Sequence, residues 1–268
     1  MKTFQTSGRL GDIIYQLYTV KALGGGNILI DLEHHKNPIE KWNKDVAASI
    51  APLLNYQSYI KGVAIKEWGF WPYDVNLVDA ENAPKDPEAY PEWRGPNWPG
   101  NIHIAKRYAQ FFHVRWIPGD VWLEAPKTKM VDVVFHAPMH RTTQAIYLAE
   151  TIQLLANERI RVAIIDPDRN WEVGNSWGFF PHTSVDIKRF VDEGTIRREI
   201  PMDMLEAADW INSAKVFLGA VSSCHAIAEA LGKPRLVQQA PDCDNVNSTH
   251  VLNGLEPKAI IELIKTYL

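Results

Sequence analysis

The sequence has very little cysteine, no long apolar run and no excess of positive charge. Cys224 and Cys243 are its only cysteines, too few for a disulfide framework and without the spacing of metal ligands. No segment approaches the ~18 apolar residues of a membrane helix, and the first residues lack the apolar core of a signal peptide. The net charge is −4 and the pI about 6.1, so no overall basic surface indicates nucleic acid or an anionic membrane. We expect a cytoplasmic protein.

The chain has 268 residues, of which 46% are hydrophobic and 22% charged, enough for two globular domains of moderate size. Apolar patterning predicts strands that alternate with helices. The strands are expected at 3–6, 27–31, 62–66, 131–135, 160–165, 215–219 and 234–238, and the helices at 12–23, 44–54, 102–112, 143–157, 203–213, 223–231 and 256–267. This alternation predicts an α/β protein with parallel sheets in two Rossmann-like domains, residues 1–124 and 125–268, with ligands in the cleft between them.

Two glycines precede the first predicted helix, in the sequence Ser-Gly-Arg-Leu-Gly-Asp from Ser7 to Asp12. A glycine-containing loop between a strand and a helix allows a ligand to approach the backbone and the helix N-terminus. The spacing of Gly8 and Gly11 is not the dinucleotide-binding fingerprint, because the third glycine is missing. Asp12 would lie in the first turn of the helix, where the helix dipole stabilises an ionised carboxylate. We therefore expect a catalytic base here rather than an anion pocket.

A second motif follows the predicted strand that ends at Gly219. Ser222 and Ser223 precede the next helix, which ends at Gly232. Free N–H groups at a helix start, together with two hydroxyls, suit a phosphate group. The same residues also describe an ordinary N-cap followed by a helix that ends at glycine. Both interpretations stay open on these residues alone.

Taken together, the two motifs resemble those of the heptosyltransferase-like glycosyltransferases, glycosyltransferase family nine. The first is Gly11-Asp12 before an apolar helix that ends in three glycines. The second runs from Ile200 to Pro234, with Met202 and Leu205 on a helix that leads through Ala-Lys to a strand, a phosphate loop and an alanine-rich helix ending Leu-Gly-Lys-Pro. The resemblance covers the two ends of the fold well and the middle poorly. It implies the GT-B fold, with the acceptor on the N-terminal domain and the nucleotide-sugar on the C-terminal domain.

The resemblance implies a metal-independent, inverting transfer of a sugar from a nucleotide-sugar to an acceptor hydroxyl, with a saccharide as the first expected acceptor. Asp12 carries over as the general base and Ser222 as a phosphate contact. No cofactor is expected besides the nucleotide-sugar, which is a co-substrate. The predicted site residues are, in chain order, Gly8 and Gly11 of the acceptor loop, the base Asp12, and the donor contacts His140, Arg141, Ser222, Ser223 and His225.

Two positions depart from the family pattern in the second motif. Val221 stands where the family usually has an acidic residue, and Ala226 where it usually has histidine, with His225 one place earlier. These two roles are therefore not carried over, and the identity of the donor stays open. Because of these departures a second interpretation stays open, namely a non-catalytic protein of the same fold that binds a nucleotide or nucleotide-sugar.

Six tryptophans lie between residues 68 and 122, together with many prolines. They form either a small core beneath long loops or a platform on which sugar rings or bases stack. A stacking platform would also suit a transferase whose acceptor is a modified DNA base. The acidic pI argues against nucleic acid as a partner.

A D-x-D sequence, Asp166-Pro167-Asp168, follows one predicted strand. Metal-dependent sugar transferases of another fold use this pattern for a cation. Ordinary turn chemistry explains it equally well, and we expect no metal.

Overall fold

The computed structural model describes residues 1–7, 10–32, 44–82, 103–136, 145–165, 188–238 and 248–268. Its strands form two separate sheets, one in each half of the chain, and every strand pair is parallel. The first sheet contains β1 (Lys2–Thr6), β2 (Gly26–Asp31), β3 (Ile60–Lys66) and β4 (Val75–Asn76) in the order β3-β2-β1-β4. The second contains β5 (Val133–His136), β6 (Val162–Ile165), β7 (Ile196–Glu199), β8 (Val216–Ala220), β9 (Arg235–Gln238) and β10 (His250–Val251), in the order β10-β9-β8-β5-β6-β7. The predicted α/β class with parallel sheets is confirmed.

The helices follow the strands in the predicted alternation. They are α1 (Leu10–Ala22), α2 (Lys44–Tyr56), α3 (Asp79–Asn82), α4 (Ile104–Phe111), α5 (Ala145–Asn157), α6 (Lys188–Asp192), α7 (Met204–Ser213), α8 (Ser223–Ala230) and α9 (Pro257–Lys265). Each predicted helix and strand is present to within about two residues at most ends. Within the described ranges, no helix has both the length and the apolar character needed to cross a bilayer.

Two layers of helices pack against each other between the sheets. Helices α1 and α2 lie beside the first sheet, α7 and α8 lie beside the second, and the contacts join α1 to α8 and α2 to α7. One apolar cluster runs through all four helices, and its buried members include Phe4, Leu53, Met204 and Ile227. A second cluster lies on the other face of the second sheet, where α5 and α9 pack. The α1–α8 contact brings the starts of these two helices together.

The segment that joins the two sheets is fixed to both halves through Trp122. Its buried indole Nε1 donates to the carbonyl of Ile14 in α1, at 2.9 Å. The backbone N–H groups of Trp122 and Leu123 both donate to the carbonyl of Ala230, at 3.0 and 3.1 Å, and so satisfy the C-terminal end of α8. The change of sheet falls near the predicted domain boundary at residues 124 and 125, which itself stays a prediction.

The tryptophans between residues 68 and 122 have two different environments, and each environment fits one of the two interpretations. Trp122 and the half-buried Trp116 belong to the shared core, with ring centroids 5.9 Å apart. Trp68 and Trp71, which follow β3, are 78% and 44% exposed. Trp93 and Trp98 lie outside the described residues. The core interpretation therefore holds for the later tryptophans of the stretch, and the platform interpretation stays open for the earlier ones.

Candidate active site between two helix starts

Both predicted motifs lie where the strand order of a sheet reverses. In the first sheet, β1 has β2 and β3 on one side and β4 on the other. In the second sheet, β5 has β6 and β7 on one side and β8 to β10 on the other. Ligands of open parallel sheets bind at the carboxyl ends of the strands at such a reversal. The chain leaves β1 toward α1 and leaves β8 toward α8, so both helix starts are candidate ligand sites.

The first turns of α1 and α8 lie side by side. A Cβ atom built on Gly11 would lie 3.8 Å from the Cα of Ser223 and 3.9 Å from the Cβ of Ala226. Asp12 follows Gly11 in the first turn of α1 and is half-buried. The helix begins at Leu10, two residues earlier than predicted. The structure therefore brings the predicted base and the predicted phosphate turn to one place, although they are about two hundred residues apart in the chain.

Ser222 is held from two directions. Its Oγ accepts the backbone N–H of His225 at 3.2 Å, so it is the N-cap of α8. The same oxygen lies 3.0 Å from Nδ1 of His136, the buried last residue of β5. The strand predicted over 131–135 extends one residue further than expected, because His136 pairs with Gly219 in the sheet. A Cβ at Gly219 would collide with the carbonyl oxygen of His136, so only glycine allows this approach.

The other predicted site residues fall into two groups. Ser223 is the buried first residue of α8, at the predicted phosphate turn. The ring of His225 is buried within the core, 6.1 Å from the ring of Phe217, so only its backbone lies at that turn. The remaining candidate residues lie outside the described ranges, namely Gly8, His140, Arg141, Asp166 and Asp168.

The alanine at position 226 has a structural reason. Ala226 is fully buried and lies where α8 meets Gly11 of α1. A histidine ring at this position would need the space that α1 occupies. The departure from the family pattern therefore accompanies the close packing of the two helices.

Next to this site lies a buried polar cluster that was not predicted from the sequence. The hydroxyl of Tyr15 donates to Oε2 of Glu229 at 3.0 Å, and Nε2 of His103 lies 2.7 Å from Oε1. Burial, followed by the charge of Glu229, raises the pKa of Tyr15 well above its usual value. Burial also acts to raise the pKa of Glu229, but the hydrogen bond from His103 and nearby positive charges bring it below its usual value. The available signal was an acidic residue between two alanines in the apolar second half of α8.

Within the ranges that the structure describes, no three His, Cys, Asp or Glu side chains are placed to hold a metal ion.

No protein-family model matches the chain, and no curated protein matches it. Several solved structures, however, match this chain. ADP-heptose LPS heptosyltransferase II of E. coli matches with a TM-score of 0.65 at 13% identity, over 100% of this chain and 98% of that one. E. coli heptosyltransferase WaaC, solved with ADP-2-deoxy-2-fluoro heptose, matches with a TM-score of 0.61 at 12% identity, over 99% of both chains.

A glycosyl transferase family 9 protein from Veillonella parvula matches with a TM-score of 0.59 at 10% identity, over 99% of this chain and 97% of that one. At such identities the likeness establishes the architecture. The chain therefore has the GT-B fold of the heptosyltransferases.

Proposed function

We propose that the protein is a glycosyltransferase that moves a sugar from a nucleotide-sugar to an acceptor hydroxyl. The observation that carries the proposal is the contact between the start of α1, which holds Asp12, and the start of α8, which holds the Ser222–Ser223 turn. A general base and a phosphate site must be adjacent for such a transfer. The fold supports it as well, because WaaC, which shares the fold, was solved with ADP-2-deoxy-2-fluoro heptose and with ADP.

Asp12 acts as the general base in the proposed mechanism. The acceptor hydroxyl attacks the anomeric carbon from the face opposite the diphosphate, the bond to the diphosphate oxygen breaks, and the configuration inverts. Asp12 takes the hydroxyl proton late, when the attacking oxygen has gained positive character, so a weakly basic carboxylate suffices. Holding both substrates between two fixed helix starts supplies much of the rate.

The leaving nucleoside diphosphate gains negative charge, and the start of α8 is suited to stabilise it. The N–H groups of a first helical turn point toward its open end, and together with the helix dipole they favour a phosphate. With its proton on Nδ1, His136 donates to Ser222 Oγ, which leaves the serine proton free to bond a phosphate oxygen. His140 and Arg141 remain the predicted cationic partners.

A panel of nucleotide-sugars with ADP, UDP and GDP as carriers tests the function. We expect at least one donor to be consumed, with release of its nucleoside diphosphate and a sugar-bearing product detected by mass spectrometry. Acceptors should include a saccharide and a modified-base DNA, which separates the two acceptor classes. A donor that raises the melting temperature but is never turned over would favour the non-catalytic binding protein, an interpretation that Val221 and Ala226 keep open.

Adding a chelator in excess should leave the transfer rate essentially unchanged. The reason is that helix N–H groups and hydroxyls, rather than a cation, would neutralise the diphosphate. Rates measured before and after dialysis against EDTA check this. Complete loss of activity, restored by Mn²⁺ or Mg²⁺, would contradict the proposal and direct attention to Asp166 and Asp168.

A further inference from the structure

The contact between α1 and α8 contains one buried polar cluster, formed by Tyr15, His103 and Glu229. Tyr15 is 3% and Glu229 5% exposed, and both lie among buried apolar residues of α1 and α8. Both oxygens of the glutamate are engaged, one by each partner. Tyr15 belongs to α1, His103 is the N-cap of α4, and Glu229 belongs to α8. The carboxylate therefore joins two elements of the first half to one helix of the second.

The cluster is also held rigidly from its sides. The ring of His103 stacks on Trp116 with centroids 4.8 Å apart and planes at 20°. Its edge also meets the ring of Tyr15, at 5.5 Å and 90°. A buried carboxylate is stable only when it is well hydrogen-bonded and compensated by charge. The lowered pKa of Glu229, which nearby Arg235 and His103 help to maintain, keeps it ionised and able to accept both bonds.

Helical spacing connects this cluster to the site. Tyr15 is three residues after Asp12, one turn along the same face of α1. Glu229 is seven residues after Ser222, two turns along α8. The charge of Asp12 is among the causes that raise the pKa of Tyr15, which agrees with their closeness. The bond between Tyr15 and Glu229 therefore joins α1 to α8 one turn beyond Asp12 and two turns beyond Ser222.

We propose that Glu229 is a positioning residue for the transfer reaction. By accepting hydrogen bonds from Tyr15 and His103, it fixes α1 against α8, and so sets the distance between the general base and the donor phosphates. Because Glu229 and Tyr15 are both buried, they would act through the two helices rather than by contact with substrate. This inference rests on the proposed function, because it assigns the base to α1 and the donor to α8.

Tyr15→Phe and Glu229→Gln test the inference, alone and combined. We expect each variant to lower kcat about 10-fold to 100-fold, since a displacement of about 1 Å in a reacting group can cost about that much. The affinity for ADP, UDP or GDP, measured by calorimetry, should hold, because the Ser222–Ser223 turn is intact. The double variant should be no slower than the slower single variant, since Tyr15→Phe removes one of the two bonds that Glu229→Gln weakens.

Tyr18→Phe is the matched control. Tyr18 lies one turn further along α1, and its hydroxyl bonds the carbonyl of Arg115 and the N–H of Ile117 rather than α8. This variant should keep the wild-type kcat. An unchanged kcat in folded Glu229→Gln protein would overturn the inference, and so would an equal loss of nucleotide affinity, which would place the effect in the donor site.

Hydrogen exchange gives a readout that does not need turnover. Glu229→Gln should speed amide exchange at the first turns of α1 and α8, while strand β6 keeps its protection. If the wild-type protein transfers sugar from no donor, the proposed function fails. Hydrogen exchange then tests separately whether Glu229 holds the first turns of α1 and α8 together. Unchanged exchange rates, or a rise in exchange rate spread evenly over the chain, would contradict the inference and show that Glu229 only stabilises the fold.

Discussion

Replacing Asp12 with asparagine should lower turnover roughly 10²-fold to 10⁴-fold, the usual contribution of general acid–base catalysis. The amide has nearly the same shape but cannot take the proton of the attacking hydroxyl. Because the residue lies in the first turn of α1 and is half-buried, the fold should persist. Donor binding at α8 should also hold. Steady-state rates with a fixed donor, together with calorimetry of the nucleoside diphosphate, measure both quantities.

Asp45→Asn is the matched control for this prediction. Asp45 is an exposed carboxylate in the first turn of α2, beside the same sheet. Its replacement removes the same favourable contact with a helix dipole, worth about 0.3–1 kcal/mol, with no effect on chemistry. If Asp12→Asn retained turnover within about threefold of wild type, Asp12 would be no more than a residue that stabilises a helix start.

Replacing Ser222 with glutamate should weaken nucleoside diphosphate binding by on the order of a hundredfold or more. Two like charges about 4 Å apart repel by about 4 kcal/mol at an effective dielectric constant of about 20. The variant places a carboxylate at the turn where the phosphates are expected. Calorimetry with ADP, UDP and GDP measures the effect. Unchanged affinity would show that the second half is not the donor side.

Three further variants show whether the loss of affinity comes from the added charge, from the lost N-cap or from a change elsewhere in the protein. Ser222→Ala removes the cap and the hydroxyl without adding charge, so its effect should be much smaller, near the typical 1 kcal/mol of a lost N-cap. Asp203→Ala removes the cap of the neighbouring helix α7, where Asp203 accepts the N–H of Glu206, and should leave affinity unchanged. Trp68→Ala, in the exposed part of the tryptophan-rich stretch, should weaken the affinity for the acceptor rather than the affinity for the nucleotide.

Local patterning was enough to predict most of the architecture. Strands such as Val216–Ala220 are short apolar runs, and helices such as Met204–Ser213 carry both a cap and a helical period. Among the described residues the elements that escaped prediction are short, namely β4, α3, α6, β7 and β10. Strand β7 reads Ile-Arg-Arg-Glu and lies at the edge of its sheet, where charged side chains reach solvent. Its pattern therefore resembles a loop.

The neighbours of each helix could not be predicted in this way. Periodicity shows that α1 and α8 each have an apolar face, but it does not show that the two faces meet. The role of Ala226 depends on Gly11, and the partners of Glu229 are on α1 and at the start of α4. His136 reads as a loop residue until β5 is paired with β8. These features arise only from the packing of distant segments.

The shared helix core has a consequence for how the chain folds during synthesis. Tyr15 and Glu229 are separated by 214 positions, so α1 leaves the ribosome long before its partner exists. At about 5–20 residues per second, a separation of this size corresponds to about 10–40 s of translation. Throughout this interval the apolar faces of α1 and α2 lack the helices that cover them. The first half therefore completes its core only when the second half has been synthesised.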